Sequence, residues 1–184
     1  MQPAHSIPTL ARIALAVDPT PESLAAARYA RTLLRSGMRL RIVCTIDNPR
    51  LVLPDIPRID ALLTSAREDM IREAQATNAR IAALFDDSGI EVEQVVVDTS
   101  VTGGTVADAL VNDTLAWRAD VLVVGANPHH GLLRLVEGAM SDTLTTRARC
   151  ALLIVPAGYA RPSDGTLQRL MFAVDGSEPS LHAV

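Results

Sequence analysis

The stretch Ala119-Asp-Val-Leu-Val-Val-Gly125-Ala-Asn-Pro-His-His-Gly131 contains four consecutive apolar residues, Val121–Val124, held between an aspartate and a glycine. Such a run has no inside-outside alternation, which is what a strand covered by helices on both faces requires. Working outward, similar runs recur at Arg12–Val17, Leu40–Ile46 and Ala151–Val155. A fifth run, Glu91–Asp98, alternates more at its start and is therefore expected nearer a sheet edge. Helical stretches separate the runs. Pro21–Gly37 opens with Pro and Glu and closes on Gly, the usual order of start and stop signals. Asp60–Asp87 sets Leu63, Met70, Ala74, Ile81 and Leu84 on one stripe, with Ser88–Gly89 closing it. Thr105–Arg118 turns Val106, Ala109, Leu110 and Trp117 to the sheet, and Glu137–Arg147 makes a last short helix. The three prolines of Asp47–Pro57 mark a surface loop. Strands alternating with helices in this way predict an α/β fold, a five-stranded, mostly parallel sheet with helices on both faces.

Composition narrows the chemistry. The chain has 184 residues, 48% hydrophobic and 21% charged, enough for one domain with a true core and something left over. All 17 basic residues are arginine. Without lysine there is no P-loop lysine, no Schiff base to pyridoxal phosphate and no Ser–Lys hydrolysis. The formal charge of −4 gives no general attraction to nucleic acid or to an anionic membrane. Two cysteines, Cys44 and Cys150, are too few and too far apart for a disulfide framework or a CxxC site, which suits a reducing cytoplasm. No signal peptide opens the chain, and the longest apolar stretches are broken by Gly, Pro and His before they reach a membrane span.

In an open parallel sheet the ligand crevice lies beyond the carboxyl ends of the strands, where the connections reverse. Asp18 ends the first strand and Gly125 the fourth, so both flank that crevice. An Asp at a strand end serves equally as the N-cap of the next helix. The loop after Gly125 is rich in small residues and runs into a helix N-terminus, where backbone N–H groups can face a phosphate. Adjacent His129 and His130 point apart and have no third ligand at metal spacing, so no metal site is expected. No G-x-S-x-G elbow occurs, since Gly138-Ala-Met-Ser141 has one residue too many, and no catalytic residue is assigned. Arg28, Arg31 and Arg35 follow helical spacing and read as a solvated face.

The tail carries an echo of the start. Leu170–Val184 aligns with Ile13–Ala27 at a constant offset of 157, with Ala16, Val17, Asp18, Ser23, Leu24 and Ala26 repeated. Residues 158–166 then read as a linker and 167–184 as the first strand and helix start of a truncated second repeat.

These residues together resemble the universal stress protein family, whose nucleotide-binding members carry G-x2-G-x9-G-[ST] after the fourth strand. Here the spacing is Gly125, two residues, Pro128, nine residues, Gly138, Ala139. Proline stands at the second glycine and alanine at the Ser/Thr position. The likeness covers residues 9–157, including the Val17-Asp18 pair and Cys150 through Pro156. It implies a Rossmann-like fold of the adenine nucleotide alpha hydrolase type and a stress-response regulatory protein, cytoplasmic, acting by binding, with at most weak ATP hydrolysis. By the same resemblance, Val17, Asp18, Thr45, Gly125, Asn127, Pro128, Gly138, Ala139, Met140 and Ser141 would contact AMP, ADP or ATP, with Mg present only alongside the nucleotide. Asp18 would meet the ribose or metal side and Thr45 the adenine pocket, although Thr45 also reads as an ordinary strand residue. Pro128 lacks an N–H and Ala139 a hydroxyl, so the nucleotide is expected to bind weakly. The alternative is a dimeric scaffold with a vestigial pocket. The resemblance further implies a homodimer through Ala151–Val155, and Leu170–Val174, an orphan apolar strand with unpaired backbone groups, is expected to pair with a sheet edge of the same or a neighbouring protomer.

Overall fold

The computed structural model describes residues 10–49, 60–126, 139–156, 158, 159 and 171, with backbone only at 139–142. Five strands form one sheet: β1 (Arg12–Val17), β2 (Arg39–Ile46), β3 (Glu91–Asp98), β4 (Val121–Ala126) and β5 (Ala151–Pro156). Their order is β3-β2-β1-β4-β5 and every pairing is parallel. Helices α1 (Pro21–Leu33), α2 (Asp60–Ala82), α3 (Thr99–Thr102), α4 (Val106–Trp117) and α5 (Ala139–Arg147) lie between them. The chain builds outward from β1 to β3, then crosses back to lay β4 on the other side of β1. The order therefore reverses between β1 and β4.

Side-chain alternation divides the core into two layers. Ile13, Leu15 and Val17 of β1, with Leu40, Ile42, Cys44 and Ile46 of β2, pack beneath Ala26, Ala27 and Ala30 of α1 and Ala74, Ile81 and Ala82 of α2. The intervening Ala14, Val43, Leu122 and Val124 face Ala107, Leu110, Val111 and Trp117 of α4 and Leu144 of α5. The three alanines on α1 keep that helix close to the sheet. As its sequence suggests, β3 is an edge strand, and Glu91 and Glu93 mark it with charge.

At the amino ends of the strands a network of ions closes the sheet. Arg41 forks onto Asp113 at 3.0 and 2.8 Å and reaches Glu93 at 2.9 Å, while Arg39 bonds Glu91 and Glu93 at 2.6 and 2.7 Å. The Trp117 ring lies between the guanidinium carbons of Arg12 and Arg41, at 6.0 and 5.7 Å, and its indole N–H donates to Glu93 at 3.2 Å. Asp120 accepts the backbone N–H groups of Ala11 and Arg12 at 2.7 and 2.8 Å, tying the start of β1 to that of β4.

Several boundaries differ from the sequence reading, each for a local reason. Helix α1 ends at Leu33 because Leu34 turns extended to bury its side chain, and Gly37, at φ 86°, serves the turn into β2 instead of stopping the helix. Helix α2 passes at Ala83–Ser88 into a 3-10 segment closed by Gly89 at φ 65°. The short α3 had no sequence signal strong enough to predict it, yet Asp98 caps it by accepting the Ser100 N–H at 2.8 Å. Arg118, after α4, holds φ 57°, a left-handed conformation that costs a non-glycine residue roughly 1–2 kcal/mol. Arg28, Arg31 and Arg35 are exposed, as their spacing predicts. Residues 50–57 of the proline-rich loop lie outside the described residues. So do Glu137 and Gly138 of the last helix, His129, His130 and, except for Met171, the whole of 167–184 with its expected strand Leu170–Val174.

Two carboxylates link stability to pH. Burial alone would raise the Asp98 carboxyl, but bonds from the Ser100 hydroxyl and N–H and from Arg67 outweigh it and hold it below the usual range. Asp108 is lowered by the N–H and hydroxyl of Thr105, with Arg147 adding to the effect. Groups depressed on folding stabilise the native state above their unfolded pKa and lose that contribution as pH falls through the folded value. Asp98→Asn/Asp108→Asn should start less stable than the parent at pH 7 and lose less stability between about pH 5 and 2, measured by urea denaturation along the pH series. A parallel decline in both proteins would refute the linkage.

Candidate functional site

The reversal between β1 and β4 leaves a cleft at the carboxyl end of the sheet, lined by Ala16, Val17, Asp18, Ser23, Val43, Thr45, Val106, Leu110, Val124, Gly125 and Leu144. Its floor is set by α1. Thr20 is the N-cap, its hydroxyl accepting the Ser23 N–H at 3.4 Å, and Pro21 follows at the first helical position. Asp18 is therefore not the cap itself. It braces the cap: its Oδ1 accepts the Thr20 N–H at 3.0 Å, the Thr20 hydroxyl and the Ser23 hydroxyl at 2.5 Å, while its own N–H donates to Ser23 Oγ at 2.9 Å. These bonds all fall on one carboxylate oxygen, so among the described residues Oδ2 keeps its acceptor capacity.

Gly125 closes the cleft from the β4 side. A Cβ on this residue would lie 2.6 Å from the carbonyl oxygen of Glu22 and 2.7 Å from its carbon, both backbone atoms that cannot swing aside. Glycine is required here for close passage of β4 past the first turn of α1, independent of any ligand. Across the cleft, Thr45 on β2 presents a buried hydroxyl with no hydrogen-bond partner among the described residues. A buried hydroxyl left unmet costs about 1–3 kcal/mol, so it marks a position where a ligand atom repays its cost. Val43, Val106, Leu110, Val124 and Leu144 make the remaining wall apolar. The cavity measures about 140 Å³, below the roughly 300 Å³ at which whole-ligand sites begin. That is room for a flat ring system, with the rest of a ligand outside.

Of the residues expected from the sequence, the structure brings together Val17, Asp18, Thr45 and Gly125. Asn127, Pro128 and Gly138 lie outside the described residues, and Ala139, Met140 and Ser141 are placed only as the first turn of α5. The sequence reading missed Ala16, Ser23, Val43, Val106, Leu110, Val124 and Leu144 as lining residues. Leu110 and Val106 lie on the sheet-facing stripe of α4, so that periodicity held the signal for them. Ser23 had one in its position five residues after Asp18. The carboxyl end of α5 is joined to the start of α4 by the Arg147–Asp108 ion pair. Neither thiol offers a nucleophile: burial, with Asp18 and Glu73 nearby, pushes Cys44 up to about 11, and burial also raises Cys150. Among the described residues no group of three or more His, Cys, Asp or Glu could hold a metal ion, and no helix is long and apolar enough to cross a membrane.

A doubly wound parallel sheet with an apolar, sparsely polar cleft at its switch point defines a Rossmann-like α/β protein. The chain belongs to the universal stress protein family, whose model matches residues 9–156. No curated protein sequence is significantly similar to it. Solved structures similar in fold include the universal stress protein UspA from Lactobacillus plantarum, 16% identical with TM-score 0.62 over 79% of this chain and 97% of that one. The universal stress protein from Archaeoglobus fulgidus, solved in complex with dAMP, is 16% identical with TM-score 0.55 over 81% and 99%. A family protein from Arabidopsis thaliana with AMP bound is 15% identical with TM-score 0.53 over 85% and 96%.

If Gly125 is required by the Glu22 contact, Gly125→Ala must push β4 and α1 apart. It should cost about 1–3 kcal/mol in urea denaturation. A parent-like midpoint would show that the contact is slack.

Proposed function

We propose that this protein is a cytoplasmic adenine-nucleotide-binding regulator of the universal stress type, acting through ligand occupancy and not through turnover. The observation that carries this is the unmet Thr45 hydroxyl buried in an apolar cleft at the switch point. A purine ring suits such a wall: its faces are apolar and its edge offers nitrogen acceptors to one hydroxyl donor. The free oxygen of Asp18, at the mouth, then takes a donor from the sugar. The bound AMP and dAMP of the Arabidopsis thaliana and Archaeoglobus fulgidus proteins support the same ligand class.

The phosphate side is weaker. Pro128 removes an N–H and Ala139 a hydroxyl from positions where the family pattern supplies donors. A hydrogen bond to a charged group is worth roughly 1.5–3 kcal/mol, so the two losses weaken triphosphate binding by about a hundredfold or more. Mg would enter only with the nucleotide's phosphates, and ATP hydrolysis is at most weak.

A second reading, a dimeric scaffold with a vestigial pocket, draws support from β5. This edge strand carries no charge along Ala151–Pro156, and Leu152, Leu153 and Ile154 are half-buried, whereas the opposite edge bears Glu91 and Glu93. Pairing of β5 with a second copy would cover it, and a dimer is compatible with either reading.

Calorimetric titration separates the two. AMP and ADP should bind more tightly than ATP, because the damage falls on the phosphate loop and not on the base pocket. Equal or tighter ATP binding overturns the ranking, and no binding of any adenine nucleotide leaves the scaffold. Pro128→Gly with Ala139→Ser should raise ATP affinity by about tenfold or more, with no gain refuting the loop argument.

A further inference from the structure

At the opposite end of the sheet, near the amino ends of β4 and β5, a second cavity of about 270 Å³ is lined by Thr114, Leu115, Arg118, Ala119, Asp120, Arg149 and Cys150. The length of β4 alone separates it from the nucleotide cleft by about 15 Å. We propose that this cavity is a binding site for a small oxyanion of the phosphate class, gripped by Arg118 and Arg149.

Most polar groups around it are already used, the exceptions being Asp120 Oδ1 and the two guanidinium groups. Thr114 Oγ1 donates within its own helix, to Leu110 O and Val111 O. The N–H groups of Arg118, Ala119, Asp120 and Ala151 bond Leu115 O, Thr114 O, Arg12 O and Asp120 O. Asp120 Oδ2 is taken by the amides of Ala11 and Arg12. Burial raises the Cys150 thiol, so it brings no negative charge. The donors that remain are those of the pair of guanidinium groups, each with five and neither bonded to any described residue. Their neighbours Arg12, Arg39 and Arg41, at the same end of the sheet, all have partners. Arg118 is not needed to cap α4, because backbone N–H groups already satisfy the last-turn carbonyls of Thr114 and Leu115.

Backbone conformation supplies the second line. Arg118 is the only non-glycine at positive φ among the described residues, and it occupies the position after a helix where glycine is the unstrained choice. The fold gains nothing from an arginine there, whereas an anion shared with Arg149 gives the side chain a use. Two guanidinium groups against the one carboxylate of Asp120, held by backbone amides through one oxygen, leave the cavity a net positive charge. Their planar forks match the oxygens of phosphate in bidentate geometry.

The probe is inorganic phosphate, titrated by calorimetry at an ionic strength held constant with sodium chloride. The parent should show saturable binding, and Arg118→Gly and Arg149→Gln should each weaken it roughly tenfold or more. Arg118→Gly carries its own control. Relief of strain, offset by the greater freedom of glycine in the unfolded chain, should leave its melting temperature unchanged or up to about 3 °C higher. Lost binding in a protein at least as stable as the parent cannot be blamed on misfolding. Absence of saturable phosphate binding by the parent overturns the assignment, as does binding that survives both substitutions.

Discussion

The contact on which the cleft depends is between Gly125 and the Glu22 carbonyl. β4 passes so near the first turn of α1 that even a methyl group would overlap backbone. That approach places the end of β4 beside the end of β1 at the one point where the sheet order reverses. The Asp18–Thr20–Ser23 hydrogen bonds then fix the first turn of α1, so the strand end, the helix start and the glycine form one unit. A loose helix start would shift the cleft floor, and a bulkier residue at 125 would move its wall. The mouth is thus shaped by packing before any ligand enters.

The two ends of the sheet use polar groups in opposite ways. At the amino end, arginines and carboxylates neutralise one another around Trp117, and long guanidinium stems cover what would otherwise be an open apolar edge. At the carboxyl end the described polar groups are few and incompletely paired. Ala16, where a larger side chain would fill the space, helps leave a cavity beneath α4 and α5. A sheet whose strands are tied by charge around Trp117 at one end can open the cleft at its other end to a ligand without loosening its core.

Much of the fold was legible because it rests on local pattern. Apolar runs, nearly continuous in most strands and alternating at the start of β3, located all five to within a residue or so, and the apolar stripe of α4 located that helix. Legibility failed where a tertiary contact overrode a local signal. Gly37 looked like a helix stop, but burial of Leu34 had already ended α1 three residues earlier. Of the two readings Asp18 offered, the structure replaces the N-cap with a carboxylate that braces the cap made by Thr20. The packing demand on Gly125 was invisible because it comes from a residue more than 100 positions away. Thr45 could be named from the family pattern, but only the three-dimensional arrangement leaves its hydroxyl unpaired.

The glycine result changes how the loop pattern should be weighed. Gly125 heads the spacing that suggested a nucleotide, yet the Glu22 contact requires glycine whether or not a nucleotide binds. Its presence therefore says little about ligand chemistry. Thr45 is the more informative residue, since a valine would fill that strand position equally well without leaving a buried hydroxyl unmet. Thr45 and Asp18 lie at the carboxyl ends of strands that the fold itself holds in place, while Pro128 falls in the sequence between β4 and α5. Under the proposed reading, a site built this way would lose grip on a phosphate chain while its base pocket persists.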